Sequence, residues 1–191
     1  MSDTYYVKTF GGLEITNDNV TVNIVELFGK QLVNLLQVLL FHSEKPVQKD
    51  ELIDILWPES KNPSSALKFS IFRLRAELNE IEFFKDKEVI VTTRKGYILN
   101  PNLDWNIDFV ELEKAYNQIN DGSELLDEKE FKTARKIFRL YQGRFYASPS
   151  QLHWILQKQE IFRQMYVKTM MRTSCYLYTQ KRYDEMMLMN Y

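Results

Sequence analysis

Cysteine and long apolar runs are scarce in this 191-residue sequence. Its single cysteine, Cys175, has no partner for an internal disulfide, and no Cys/His pattern has the spacing of a structural zinc site. No segment reaches the roughly eighteen apolar residues of a membrane helix, and the first residues lack the basic-then-apolar order of a secretory signal. We therefore expect a cytoplasmic protein without a membrane partner, in which Cys175 is a small buried residue of a helix.

Catalytic motifs are absent as well. The sequence contains no GxGxxG, GxxxxGKS/T, GxSxG or HExxH pattern. His42 and His153 have no sequence neighbours that suggest a metal or catalytic pair, and the acids Asp127, Glu128 and Glu130 fit the favourable acidic first turn of a helix. These absences predict a protein that is not an enzyme, with no cofactor, no catalytic residue and no metal site.

Charge is balanced over the whole chain but not within it. The formal net charge of -1 gives no global signal for nucleic-acid binding, so such a function depends on where the charges lie. Between Lys61 and Tyr97 there are eight basic residues and five acidic ones. This segment is therefore locally positive within a chain that is nearly neutral as a whole.

The N-terminal half has the pattern of a small sheet followed by helices. Short β-rich runs between Tyr5 and Val22 are broken by Gly11-Gly12 and Asn17-Asp18-Asn19, which predicts antiparallel strands with tight turns. From Lys30 to His42 leucines recur at helical spacing, which predicts an amphipathic helix with one apolar stripe. The leucines of this stripe are Leu32, Leu35, Leu36, Leu39 and Leu40.

Two further helices and a hairpin follow. The second helix is predicted over Lys49–Trp57 and ends before Pro58, because a residue that precedes proline disfavours the α region. The third is predicted from Ser64 to about Glu80, after Asn62-Pro63, where asparagine can cap the helix and proline suits its first turn. The runs EVIVTT and GYILN, joined by Arg94-Lys95-Gly96, predict a β-hairpin.

Beyond Asp104 the pattern predicts helices alone. The change near residues 101–106 marks a candidate boundary between domains 1–103 and 104–191. No Gly/Ser-rich stretch lies there, so a tightly packed junction is the alternative to a loose linker. The aromatic residues of the second domain fall mostly at helical spacing, which core packing explains. They include Tyr116, Phe131, Phe138, Tyr141, Phe162, Tyr166, Tyr176 and Tyr178.

The end of the chain has the pattern of an incomplete repeat. A long helical segment is predicted from about Ser150 to Gln180, and Gly122 and Gly143 separate the helices before it. The last residues, KRYDEMMLMNY, predict the start of another repeat helix, whereas a stacked repeat normally needs a cap. We therefore expect the chain to be a fragment of a longer protein.

The third helix carries the most informative surface. Its buried stripe is predicted at Leu67, Ile71, Leu74 and Leu78. The opposite face holds Ser65, Phe69, Phe72, Arg73 and Ala76, with Lys68 and Arg75 on one flank. In a major groove an arginine can pair with guanine, an aromatic ring can contact a thymine methyl, and small side chains allow close approach. The alternative is an ordinary surface helix with solvated arginines, although exposing two phenylalanines is costly unless DNA, the hairpin or the second domain covers them.

These runs also resemble known families. ALKFSIFRLRAELNE and VIVTTRKGYIL, preceded by a helix that ends in LW, resemble the DNA-binding domain of OmpR/PhoB-type winged-helix regulators over Tyr5 to Asn100. WNIDFVELEKAYNQ, with LYQGRFY and HW further on, resembles the bacterial transcriptional activator domain of SARP-type regulators. The resemblance implies an α+β fold, in which an N-terminal winged helix with a small antiparallel sheet and a C-terminal wing precedes an all-α, tetratricopeptide-like helical domain.

The same resemblance implies roles for individual residues. It implies that Arg73 reads a base, that Arg75 contacts the DNA backbone, and that Arg94 and Lys95 lie at the wing tip. The sequence departs from the family pattern at Phe69 and Phe72, which are bulkier than the usual residues. The predicted DNA-binding residues are Ser65, Lys68, Phe69, Phe72, Arg73, Arg75, Arg94 and Lys95.

The predicted function is sequence-specific transcriptional regulation, with the recognition helix 64–80 in the major groove and the wing 89–100 on the backbone. Double-stranded DNA is the implied partner, and RNA polymerase and a homodimer on DNA are further candidates. The alternative is a protein-interaction module whose winged helix no longer binds DNA and whose two exposed phenylalanines serve as anchors.

Overall fold

The computed structural model describes residues 4–119, 126–147 and 152–188. These residues divide into two units, each discontinuous in sequence. The first lies within Met1–Val7, Leu13–Asn106 and Ser148–Leu152, and the second within Lys8–Gly12, Ile107–Ala147 and His153–Tyr191.

Strands come first along the chain, and helices dominate the rest. In chain order the elements are β1 (Thr4–Lys8), β2 (Glu14–Asn17), β3 (Val20–Asn23), α1 (Ile24–Leu27), α2 (Lys30–Phe41), α3 (Lys49–Leu56), α4 (Pro63–Asn79), β4 (Ile90–Thr92), β5 (Tyr97–Leu99), β6 (Asp104–Ile107), α5 (Asp108–Ile119), α6 (Glu128–Leu140), α7 (His153–Thr179) and α8 (Tyr183–Leu188). A 3₁₀ turn, Glu82–Phe84, follows α4. None of the helices in the described ranges combines the length and hydropathy needed to cross a bilayer.

The N-terminal strands form the predicted small sheet, with one addition. The sheet has the order β3-β2-β1-β6, and β2 pairs antiparallel with β3 around a tight turn at Asp18, whose φ is +51°. The expectation that the chain is wholly helical beyond Asp104 is wrong at β6. Its sequence DWNI alternates polar and apolar side chains, which is the period of a strand, and Trp105 Nε1 donates a hydrogen bond to the Asn100 carbonyl at 3.0 Å.

Three helices form the core of the first unit. Residues 32–40 of α2 are all buried, so this helix is enclosed on nearly every side instead of burying one apolar stripe. Helices α3 and α4 pack against it and against each other. The predicted buried stripe of α4, from Leu67 to Leu78, is confirmed, and each buried leucine contributes about 1.5–3 kcal/mol through its removal from water.

The helix ends agree with the sequence except at one cap. Helix α3 ends at Leu56, close to the predicted stop before Pro58, and α4 begins at Pro63. Asn62 occupies the N-cap position, but its side chain makes no capping hydrogen bond, so that prediction is wrong. The backbone of Asn62 is turned instead toward Ser60, whose Oγ accepts a hydrogen bond from the Asn62 N–H at 3.3 Å.

Strands β4 and β5 form the predicted hairpin, which we call the wing. Val91 lies opposite Ile98, and Tyr97 exchanges two backbone hydrogen bonds with Val47, of 2.8 and 3.0 Å. Gly96 stands at this junction with a φ of +147°, and a Cβ atom there would lie 1.8 Å from the Val47 carbonyl oxygen. The wing is therefore held on the first unit at a position that only glycine fits.

The second unit is built from α5, α6, α7 and α8, together with Lys8–Gly12. Helix α6 begins with a capping box, since the Asp127 carboxylate accepts from the Glu130 N–H at 2.7 Å and the Glu130 carboxylate accepts from the Asp127 N–H at 2.6 Å. This confirms the acidic first turn. One aromatic cluster forms the centre of the unit and contains Phe10, Phe109, Phe145 and Phe162.

Helix α7 corrects one prediction. Cys175 is exposed, although the sequence predicted a buried residue. The buried side of α7 includes Thr173, Tyr176 and Leu177. Cys175 is two residues from both Thr173 and Leu177, which is about half a helical turn, so its side chain points away from theirs. The predicted starts and breaks at Ser150 and Gly122 lie outside the described residues. Helix α8 agrees with the predicted helix in the last residues, of which 189–191 are also outside that set.

Candidate nucleic-acid interface

Helix α4 presents five side chains to solvent on the side opposite its buried stripe. We call this set the outer face; its members are Ser65, Phe69, Phe72, Arg73 and Ala76, and all five are exposed. They share one side because 3.6 residues make a turn, so spacings of three, four, seven and eleven residues return to the same direction. The structure therefore brings together the residues that the sequence assigned to this face.

Cationic side chains lie beside the outer face and at the wing tip. Lys68 is exposed on the flank of α4, and Arg94 and Lys95 are exposed between β4 and β5. Thr93 shapes that tip, because its Oγ1 accepts hydrogen bonds from the N–H groups of Lys95 and Gly96, both at 3.2 Å. Within the described residues, the ammonium and guanidinium groups of Lys68, Arg94 and Lys95 have no ion-pair partner.

Arg73 is open to solvent. Its side chain is 51% exposed, and Nη2 lies 3.4 Å from Glu77 Oε1, one turn further along α4. An exposed pair at this spacing contributes only about 0.3–0.5 kcal/mol. Arg73 is therefore not enclosed by the protein, and its guanidinium can leave Glu77 at little cost.

Arg75 has a different environment from Arg73. Its Nε and Nη2 donate hydrogen bonds to the Ile90 carbonyl at 3.1 and 2.8 Å, and Nη2 also donates to Thr92 Oγ1 at 2.8 Å. The resemblance implied a contact with the DNA backbone for this residue. In the structure the guanidinium joins α4 to β4, so Arg75 ties the wing to the helix.

Two large aromatic side chains stand on the outer face without a cover. Phe69 is 62% exposed and Phe72 is 69% exposed. Phe69 borders an open cleft of about 450 Å³ that Arg73, Lys30 and Trp57 also line. The hairpin, which the sequence offered as one possible cover for these two rings, therefore leaves both of them open.

Lys30 and Trp57 are neighbours of the outer face that sequence reasoning missed. Lys30 begins α2, and Trp57 follows α3, yet both line the cleft beside Phe69 and Arg73. Packing of the three helices brings these residues together from separate stretches of sequence, so no local pattern could find them. The one available signal is a tryptophan placed directly before Pro58 at a helix end.

The described residues offer no metal-binding cluster. No group of three or more His, Cys, Asp or Glu side chains in these ranges is arranged to hold an ion. His42 lies with Nε2 4.0 Å from Glu51 Oε1, at the surface of the first unit. The functional groups of the outer face are the guanidinium of Arg73, the hydroxyl of Ser65 and the aromatic rings of Phe69 and Phe72.

The three-helix core and its hairpin define the class of the first unit as a winged helix. Residues 25–99 match the family model described as "Transcriptional regulatory protein, C terminal". This segment is therefore a transcriptional regulatory winged-helix domain, which confirms the OmpR/PhoB-type resemblance. The match runs from α1 through the wing, covers less than half of the chain, and leaves β1, β2 and β3 outside it.

Solved structures extend the comparison to the helical part. EmbR of Mycobacterium tuberculosis, solved in complex with a low affinity phosphopeptide, is 17% identical, with a TM-score of 0.61 over 90% of this chain and 44% of the EmbR chain. It shares the fold, with a winged helix followed by a helical region, which confirms the predicted fold class and order. The present chain spans less than half the length of that protein.

A second solved structure covers only part of the chain. The DNA-binding domain of E. coli CadC is 25% identical, with a TM-score of 0.38 over 49% of this chain and 88% of that domain. A TM-score this low does not establish a shared fold. No curated protein sequence matches the chain.

Proposed function

We propose that this protein is a sequence-specific DNA-binding transcriptional regulator and acts by binding, without catalysis. The observation that carries the proposal is the open outer face of α4, with Arg73 51% exposed, on a transcriptional regulatory winged-helix domain. A B-DNA major groove is about 12 Å wide and admits one α-helix. Residues 64–80 supply that helix, and the wing at 89–100 contacts the adjacent backbone.

Each residue has a role that follows from its exposure and charge. Arg73 reads a base by two parallel hydrogen bonds, most favourably to guanine, and Ser65 is small enough to allow close approach. Lys68, Arg94 and Lys95 neutralise phosphates and fix the register without reading sequence. Their lack of ion-pair partners within the described ranges supports this assignment. Arg75 supports the wing through its hydrogen bonds to β4.

We propose a division of labour between residues 1–103 and 104–191. The first part binds double-stranded DNA, and the second contacts partner proteins, for which RNA polymerase and a second copy of the chain are candidates. Large exposed apolar side chains on α7 and α8 support a docking role for the second part. They are Leu156, Ile161, Met171, Tyr178, Tyr183, Met187 and Leu188. A regulator of this kind acts in the cytoplasm, where it reaches DNA.

Selection of bound duplexes from a random pool, followed by affinity measurements at several salt concentrations, tests the proposal. Arg73→Ala should cost about 1–3 kcal/mol and relax the preference at one base pair. Arg94→Ala should weaken binding to all duplexes similarly and reduce the salt slope by about 0.9. Lys132→Ala, which removes an exposed cation from the second unit, is the matched control and should change neither quantity.

Two outcomes would contradict the proposal. Indifference to duplex DNA at low salt would exclude DNA binding and would favour the protein-interaction module anchored by the two phenylalanines. An equal loss on every sequence for Arg73→Ala would remove its base-reading role, because a phosphate contact carries no sequence information.

A further inference from the structure

The outer face has aromatic side chains at its centre and cationic side chains around them. At about 100° per residue, Phe69 lies between Arg73 on one side and Phe72 on the other, and the small side chains Ser65 and Ala76 lie along the same line above and below it. The centre of the face is therefore apolar, and the small side chains on either side of Phe69 along the helix axis leave its ring 62% exposed.

Cations surround this apolar centre. Arg73 borders one side, Lys68 lies on the opposite flank, and Lys30 lines the cleft beside Phe69. A binding surface with positive charge at its edge and aromatic rings in its middle fits a partner with the inverse pattern. The major groove of a duplex has that pattern, because phosphates form its rims and the 5-methyl groups of thymine stand on its floor.

We infer that Phe69 and Phe72 read thymine through its 5-methyl group, so that the preferred duplex carries thymines beside the base pair contacted by Arg73. This inference rests on the proposed function and adds the chemistry of the base that the site selects. Cβ atoms three residues apart on a helix are about 5–6 Å from each other, and successive bases rise about 3.4 Å. The two thymines therefore lie within about two base pairs of each other.

The experiment uses the full chain and the duplex recovered from the random pool. Each thymine is replaced in turn by deoxyuridine, which removes only the 5-methyl group and keeps every hydrogen-bonding atom. At the contacted positions, loss of one buried methyl group should weaken binding by about fourfold, and the other positions should be unaffected.

Variants assign each methyl contact to a side chain. Phe69→Ala should weaken binding to the thymine duplex and lose its sensitivity to deoxyuridine at one position, and Phe72→Ala should do the same at the other. Phe69→Leu, which keeps an apolar side chain, should retain part of the sensitivity. Arg73→Ala is the control, since it should bind more weakly but keep the full response to both methyl groups. Both phenylalanines are exposed, so these variants should fold as the parent does, which circular dichroism checks.

The outcomes separate this inference from the proposed function. Duplex binding that is sequence-specific but indifferent to every deoxyuridine replacement, or a recovered site without thymine, overturns the inference and leaves DNA binding intact. Unchanged deoxyuridine sensitivity in Phe69→Ala and Phe72→Ala also overturns it. Absence of duplex binding by the parent protein overturns both proposals.

Discussion

The two units use their charged side chains in different ways. In the second unit the Glu111 carboxylate accepts from Lys114 at 3.2 Å and from Lys136 at 2.6 Å, and two arginines of that unit also pair with nearby glutamates. On α4 and the wing of the first unit, Lys68, Arg94 and Lys95 have no ion-pair partner in the part of the chain that is described. These ion pairs of the second unit stabilise its own structure, whereas the three unpaired cations of the first unit are available to an external polyanion.

Asp108 is a buried acidic residue of the second unit. Its Oδ2 accepts from the N–H groups of Thr9 and Phe10 at 2.7 and 3.1 Å, and Thr9 Oγ1 donates to Oδ1. Burial raises the pKa of Asp108, and the hydrogen bonds from Thr9 and Phe10 oppose that rise. Asp108 thus fastens the segment Lys8–Gly12 within the second unit.

The largest expected effect comes from removing this carboxylate. Asp108→Ala leaves two backbone N–H groups and a hydroxyl without their acceptor, and should lower the free energy of unfolding by about 3 kcal/mol. Urea denaturation measures this loss, and amide exchange locates it in α5 and residues 8–12. If the charges of the second unit stabilise only that unit, the duplex affinity of the folded variant is unchanged. A loss of affinity as large as that of Arg73→Ala would contradict this difference between the units.

Asp108→Asn tests the same site through pH. Asparagine keeps an acceptor for the two N–H groups but does not titrate. Because the pKa of Asp108 is raised in the folded state, its favourable contribution is complete below the ordinary value of 3.8 and is lost as pH rises through the folded pKa. The parent should therefore lose stability relative to Asp108→Asn over that interval. A difference that is constant with pH would show that burial does not govern this carboxylate.

Arg75 is a cation of the first unit that stabilises its own unit, as the paired cations of the second unit do. Arg75→Ala removes hydrogen bonds to Ile90 and Thr92, so the unfolding free energy should fall by about 1–2 kcal/mol and amide exchange in the wing should accelerate about tenfold. The salt slope of duplex binding should stay as in the parent, unlike that of Arg94→Ala. Arg75→Lys keeps the charge but cannot form the same fork, and should resemble the alanine variant in wing exchange. A salt slope reduced by about 0.9 in Arg75→Ala would assign this residue to a phosphate instead.

Sequence patterns predicted what is local and repetitive. The leucine periodicity of α2, the buried stripe of α4 and the acidic cap of α6 all depend on neighbours within a few residues. The winged-helix resemblance supplied the order of elements. The outer face of α4 was therefore predictable in full, since its exposure follows from the position of the buried stripe.

Features that depend on distant neighbours were missed. Strand β6 is too short for its alternation to outweigh the helical pattern that follows it, and its partner β1 lies at the other end of the first unit's sequence. The hydrogen-bond partners of Arg75 lie on β4, and no rule of helical or strand spacing predicts a contact between these two elements. Likewise, the assignment of Lys8–Gly12 to the second unit follows from Asp108 and the aromatic cluster, not from the strand-like sequence around it.

The smallest expected effect concerns Glu77, the acid that pairs with Arg73 across one turn of α4. Glu77→Gln removes an exposed pair at 3.4 Å, so stability should change by less than about 0.5 kcal/mol. Duplex binding should become about twofold tighter at low salt, because Arg73 is released and one negative charge near the phosphates is gone, and the gain should fade as salt screens it. Glu80→Gln, beyond the end of the same helix, is the matched control for loss of charge alone. Weaker binding in Glu77→Gln would mean that the pair holds Arg73 in its binding orientation, and that the outer face, like the second unit, uses an internal salt bridge for its own structure.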